Sequence, residues 1–124
     1  MRGMTIVFEA DALSPGAELC GRVEWDTVTE VPEALWISLL WHTEGKGTED
    51  SDTLEQLRVP SPGISGSHNF SFRLPTYPWS FSGTLISLVW KVEARLEGTS
   101  VLLGAPFVMA PNGREIRLRP VDEP

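Results

Sequence analysis

Phe70-Ser71-Phe72-Arg73-Leu74-Pro75-Thr76-Tyr77-Pro78-Trp79-Ser80-Phe81-Ser82-Gly83, continuing through Thr84-Leu85-Ile86-Ser87-Leu88-Val89-Trp90-Lys91-Val92-Glu93-Ala94-Arg95-Leu96, decides how this chain folds. Phe70, Phe72 and Leu74 recur at period two, with Ser71 and Arg73 between them. Ile86, Leu88, Trp90, Val92, Ala94 and Leu96 repeat the pattern against Ser87, Lys91, Glu93 and Arg95. Successive side chains of a strand point to opposite faces, so each segment is a strand with one face on a core. Val89 and Leu85 interrupt the polar side, which predicts a partly covered outer face. Pro75 and Pro78 cannot donate to a ladder and bias their predecessors towards extended geometry. The two strands are therefore joined by a stiff corner, with Gly83 available for a turn.

The same reading extends in both directions. Thr5–Ala10 is a strand, Ser14-Pro15-Gly16 a turn, and Glu18–Trp25 a strand presenting Leu19, Gly21, Val23 and Trp25 on one face. Ala34–His42 is apolar on both sides: Leu35, Ile37, Leu39 and Trp41 alternate with Trp36, Ser38 and Leu40, as in a central or covered strand. Thr43–Ser51 is expected to be a polar loop, Leu54–Val59 a strand, and Pro60-Ser61-Pro62-Gly63 its end. Beyond the long strand, Gly98-Thr99 is a hairpin turn into Ser100–Gly104, and Ala105–Ala110 continues the β pattern. Pro111-Asn112-Gly113 is a turn, Glu115–Arg119 a last strand, and residues 120–124 a frayed tail. No apolar 3.6-residue spacing survives proline and glycine long enough for a helix. Roughly eight short strands at this spacing predict an all-β sandwich over residues 1–124, taken as a single domain.

Composition narrows function more than it identifies it. The net charge of −7 disfavours general nucleic-acid binding, where phosphate attraction dominates affinity. Acids concentrate before Gln56, whereas the remainder is slightly basic, with Arg114, Arg117 and Arg119 close together. No apolar run approaches the roughly 20 residues that span a bilayer, so no integral membrane segment is expected. Glu9 and Asp11 interrupt the first apolar stretch, which argues against a signal peptide and for a cytoplasmic protein. Cys20 is the only cysteine; it excludes an internal disulfide and is expected to be a buried small hydrophobe.

Two stretches together resemble a known family. Ser14-Pro15-Gly16-Ala17-Glu18-Leu19-Cys20-Gly21-Arg22-Val23 resembles the Pro-Gly-Glu-x-Val-x-Gly-x-Val turn and strand of arrestin-type N-terminal domains. Phe70, Phe72, Leu74 and Pro75 match that family's Phe-x-Phe-x-Leu-Pro, and Ser80, Phe81 and Gly83 its Pro-Ser-Phe/Tyr-x-Gly element. Gly104-Ala105-Pro106-Phe107-Val108 falls where such domains carry a closing strand, so the resemblance runs from Thr5 to Met109. It implies an arrestin-like, immunoglobulin-like β-sandwich of about seven to nine strands, in a family of arrestins, retromer-subunit relatives and bacterial sporulation-control relatives. The class it implies is a non-enzymatic adaptor or assembly module that binds another protein. Arrestins pair two such sandwiches, where this chain has room for one. The α-arrestin Pro-Pro-x-Tyr motif is absent, since Leu74-Pro75-Thr76-Tyr77 lacks its first proline, and the buried charged cluster that holds arrestins inactive has no place here. Receptor binding and phosphate sensing therefore do not carry over.

Candidate chemistry is sparse. His42, Glu44, Glu49, Asp50, Asp52 and Glu55 are the densest set of ligand types, but they meet the spacing of a calcium loop only in part. No Gly-x-Ser-x-Gly elbow is present. Ser65-Gly66-Ser67-His68 is expected to be a polar loop entering a strand, and Gly45-Lys46-Gly47-Thr48 lacks the upstream glycine of a phosphate loop. No catalytic residue, cofactor or metal is therefore assigned. Of five tryptophans, Trp25, Trp41 and Trp90 fall on core faces. Trp36 and Leu40, with the corner residues Tyr77, Trp79 and Phe81, are the candidate protein-contact surface, because rigid aromatics bury much area at little entropic cost. The alternative is a small-ligand-binding sandwich for carbohydrate or calcium. Free sheet edges also leave room for a homo-oligomer.

Overall fold

The computed structural model describes residues 3–27, 30–45, 49–83, 85–113 and 116–117. They form two facing sheets. The smaller is antiparallel, with β1 (Gly3–Phe8), β3 (Glu18–Asp26) and β6 (Ser65–Arg73) in the order β1-β3-β6. The larger is built on β4 (Ala34–Gly45), flanked by β5 (Ser51–Pro60) and β8 (Ile86–Glu97). The free side of β8 is shared by β7 (Phe81–Ser82) and β9 (Leu102–Met109). β2 (Ala12–Leu13) pairs in parallel with β9, and β10 (Ile116–Arg117) in parallel with β7. The expected all-β sandwich is what the chain adopts.

Alternation decides what lies between the sheets. Leu19, Val23 and Trp25 from β3, Phe70 and Phe72 from β6, and Leu35, Ile37 and Leu39 from β4 are buried together. Leu88, Trp90, Val92, Ala94 and Leu96 line the same space from β8. β4 is central, as its two-sided apolarity predicted; its outer face is roofed by side chains of its neighbours. Ser38 there is buried and accepts a hydrogen bond from Gln56 Nε2 at 3.2 Å.

Gly21 is where the small sheet cannot carry a side chain. A Cβ built on it would lie 2.5 Å from the Val7 carbonyl oxygen and 2.6 Å from Cζ of Phe70. The bare backbone lets the Phe70 ring approach β3, and Phe70 meets Phe8 edge-on with centroids 6.3 Å apart.

Several expectations need correcting. The first strand starts and ends earlier than Thr5–Ala10, because after Phe8 the chain crosses to the other sheet; Val108 donates to the Asp11 carbonyl and Ala110 to that of Leu13. Thr43–Ser51 is not wholly loop, since β4 continues to Gly45 and Thr43 and Asp50 exchange backbone and hydroxyl hydrogen bonds. Ser65–His68 is strand, polar because it lies at an edge yet paired along its length with Val23–Asp26. Cys20 is not buried: inward Leu19 and Val23 put it on the outer face, with Sγ 3.7 Å from both Glu18 Oε1 and Ser71 Oγ. Gly98-Thr99 turns as expected, and Pro111–Gly113 forms a short 3-10 turn. Of the expected last strand only Ile116–Arg117 is described; Glu115, residues 118–124 and the side chains of Arg114, Arg117 and Arg119 lie outside the described residues.

Candidate functional site

The proline corner is held from beneath. The indole Nε1 of Trp90, a fully buried side chain, donates to the Pro78 carbonyl at 2.7 Å. Trp79 folds its own indole back onto the Thr76 carbonyl at 2.8 Å. Ser80 is buried; its amide donates to the Met109 carbonyl at 2.7 Å, and its hydroxyl accepts the Met109 amide at 2.9 Å. The Tyr77–Pro78 peptide is cis. On this anchored frame Tyr77 is 77% exposed and Trp79 40% exposed. Phe81 faces the other way. It pairs with Leu88 and packs against the core.

A bulge in β5 completes the surroundings of the corner. β5 pairs regularly with β4 from Ala34↔Pro60 to Leu39↔Glu55, then skips a residue so that Leu40 faces Thr53 and Trp41 faces Asp52. Without that shift the inward phase set by Val59 and Leu57 would continue to Glu55. With it, Leu54 packs against the core and Asp52, still exposed, comes opposite inward Trp41. Bulges re-aim side chains in this manner. The result is a cavity of about 480 Å³ at the mouth of the sandwich, lined among others by Trp41, Asp50, Asp52, Leu54, Tyr77 and Leu88.

Trp36 and Leu40 occupy the opposite face of β4. They do not meet the corner. The guanidinium carbons of Arg58 and Arg95 lie over the Trp36 ring, 5.8 and 6.0 Å from its centroid, and Trp36 Nε1 donates to Glu97 Oε1 at 2.6 Å. The Glu97 carboxyl is held below the ordinary glutamate range, first by that bond and then by hydrogen bonding with Glu33; burial opposes the shift, and Arg58 and Arg95 add to it. Leu40 sits between Thr53 of β5 and Lys91 of β8. This face is thus a polar lattice around one tryptophan, not an apolar patch.

The remaining candidates are dispersed. His42 Nε2 is 2.7 Å from Glu44 Oε2 on the outer face of the large sheet, Cys20 lies outside the small sheet, and His68 on edge strand β6. Among the described residues no three His, Cys, Asp or Glu side chains gather as a metal would require. No helix among them is long and apolar enough to cross a membrane. Sequence reasoning named Asp50 and Asp52, but as members of an acidic loop; their meeting with Tyr77 depends on the bulge. Its signal was a break of phase, since Leu54 is out of step with Leu57 and Val59.

The two stretches behind the family resemblance touch. Gly16 donates to the Pro75 carbonyl at 3.0 Å, Leu74 to the Ala17 carbonyl at 2.8 Å, and Arg73 Nη1 to the Gly16 carbonyl at 3.2 Å. Among solved structures the chain is similar to Spo0M, a sporulation control protein from Bacillus subtilis, with a TM-score of 0.58 and 18% identity. The match covers 87% of this chain and 49% of that one. The fold is the arrestin-like sandwich. The chain spans about half the length of Spo0M, so the likeness concerns architecture and not activity. No protein-family model and no curated protein sequence matches the chain.

Proposed function

We propose that this chain is a non-enzymatic protein-binding module whose contact surface is the Tyr77–Trp79 corner at the mouth of the sandwich. The observation that carries the reading is the pairing of exposure with rigidity. Tyr77 and Trp79 present large aromatic area to solvent on a backbone tied to Trp90 and Met109. Pre-organised aromatics of this kind lose little entropy on binding and dominate interface energies. The outer face around Trp36 is a weaker contact surface, because its indole and its flanking charges already satisfy one another. The arrestin-like fold supports an adaptor by analogy, and the separation of Cys20, His42 and His68 supports a role without catalysis.

The test is site-specific photo-cross-linking in cells that express the protein. A benzophenone side chain at position 77 should yield a discrete protein adduct identifiable by mass spectrometry, and one at position 36 a weaker or absent one. Cross-links from position 36 alone would move the surface to the outer face. No adduct from either, together with a tryptophan fluorescence response to glycans or calcium, would replace the reading with a small-ligand module.

A further inference from the structure

We infer that the cavity between the corner and the β4–β5 hairpin takes a lysine or arginine side chain from an extended segment of the partner. This rests on the protein-binding reading above and specifies the chemistry of its central contact. The cavity, about 480 Å³, has aromatic side chains on two elements: Trp41 on β4 and Tyr77 on the corner. Leu54 and Leu88, both packed in or against the core, provide apolar lining. Asp50 and Asp52 bring two carboxylates to the same space, and among the described residues no lysine or arginine lines it. Among the described residues neither carboxylate has an ion-pair partner, whereas Glu24 and Glu93 each do.

Each part of that lining suits an organic cation. Aromatic faces attract an ammonium or guanidinium through their quadrupole, more strongly once water is excluded. Apolar lining accommodates the methylene stem that lysine and arginine carry behind the charge. Carboxylates neutralise the head group with charge-assisted hydrogen bonds. A hard metal ion fits poorly: it needs six or more oxygen ligands, and no group of three His, Cys, Asp or Glu assembles here among the described residues. An acidic or phosphorylated segment would meet two carboxylates and, among the described residues, no cation. The chain's net charge of −7 steers basic segments in the same direction.

The decisive measurement is a titration of the isotopically labelled full chain, followed by two-dimensional NMR, with Gly-Ser decapeptides carrying two central residues. These are lysine, arginine, norleucine or glutamate in four separate peptides. Lysine and arginine peptides should cause saturable shifts at the Trp41 indole and at the amides of Asp50, Asp52 and Tyr77. Asp50→Asn with Asp52→Asn should weaken that binding about tenfold, and Tyr77→Ala about threefold, as expected for losing ion pairing and one cation–π contact. Both variants change groups at the cavity mouth, and an unchanged melting temperature checks that folding is intact. Shifts spread over Glu9, Glu18 and Glu24 instead, equal binding of the norleucine peptide, or an unweakened double asparagine variant would overturn the inference. A position-77 cross-link that persists in the double asparagine variant likewise overturns it while leaving the corner as a contact surface. Loss of both the cross-link and the peptide shifts removes the corner altogether.

Discussion

The indole N–H of Trp90 and the carbonyl of Pro78, 2.7 Å apart, join the floor of the core to the most exposed aromatic segment of the molecule. The donor belongs to a side chain with no solvent exposure, and the acceptor follows Tyr77, which is mostly in water. A buried polar group left without its partner costs about 1–3 kcal/mol, so this bond constrains the corner as well as the core.

Trp90→Phe should therefore lower stability by about 2–3 kcal/mol, combining the lost hydrogen bond with a partly filled void. Urea denaturation should show an earlier midpoint at unchanged slope. The corner should also loosen: amide exchange at Tyr77 and Trp79 should accelerate more than in Trp79→Phe. Equal exchange in the two variants would show that Trp90 does not anchor the corner.

Ser80→Ala removes the acceptor of the Met109 amide but not the reciprocal bond from the Ser80 amide. A destabilisation of about 1–2 kcal/mol follows. Thermal denaturation of Ser80→Ala beside Ser82→Ala, a half-buried serine two residues on, is the comparison, and only the first should shift the midpoint appreciably.

Gly21→Ala should cost about 1–3 kcal/mol, since the new methyl meets both a carbonyl oxygen and the Phe70 ring. Adding Phe70→Leu should not restore stability. It relieves the ring contact, leaves the Val7 carbonyl in place and opens a void beside Phe8. A double-mutant cycle in urea would measure the coupling, which should be non-zero because the two sites touch.

Glu97 supplies a pH dependence with a definite sign. Its carboxyl is depressed in the folded chain, so the folded state holds the proton less tightly than the unfolded one. The contribution is fully present above the unfolded glutamate value and disappears as pH falls through the lower folded value. Trp36→Phe removes the largest cause, and the Glu97 carboxyl should then titrate closer to the ordinary range. Carbon-detected NMR titration of both proteins reads this directly, and coincident titration curves would rule out the tryptophan as its cause.

Much of the fold was legible because buried strands obey a period of two. Ile86–Leu96 could be read residue by residue, and its inward set is the buried set from Leu88 onward. Ile86 departs from it, being 36% exposed where β8 begins. Edge and hairpin strands were harder. Ser65–His68 and Thr43–Gly45 carry polar residues because water reaches them, and composition alone then resembles a loop. Pairing at long range was invisible: nothing local announces that Gly16 will meet Pro75, or that Tyr77 will share a cavity with Asp52. Trp36 and Tyr77 were grouped as exposed aromatics, and only the parity of β4 together with the corner's position separates them onto opposite sides of a sheet.

The irregular residue in β5 also sets a limit on how this protein can change. Deleting one residue between Thr53 and Glu55 would leave a more regular ladder and, by conventional measures of sheet geometry, a better strand. It would keep Asp52 opposite Trp41, since Thr53 and Asp52 already face Leu40 and Trp41, but it would remove Leu54, the apolar side chain packed against the core there. A shorter, tidier hairpin would keep the carboxylate at the cavity mouth and lose the apolar lining beside it. Natural or designed variants that lose that residue would have to acquire that apolar lining from another strand.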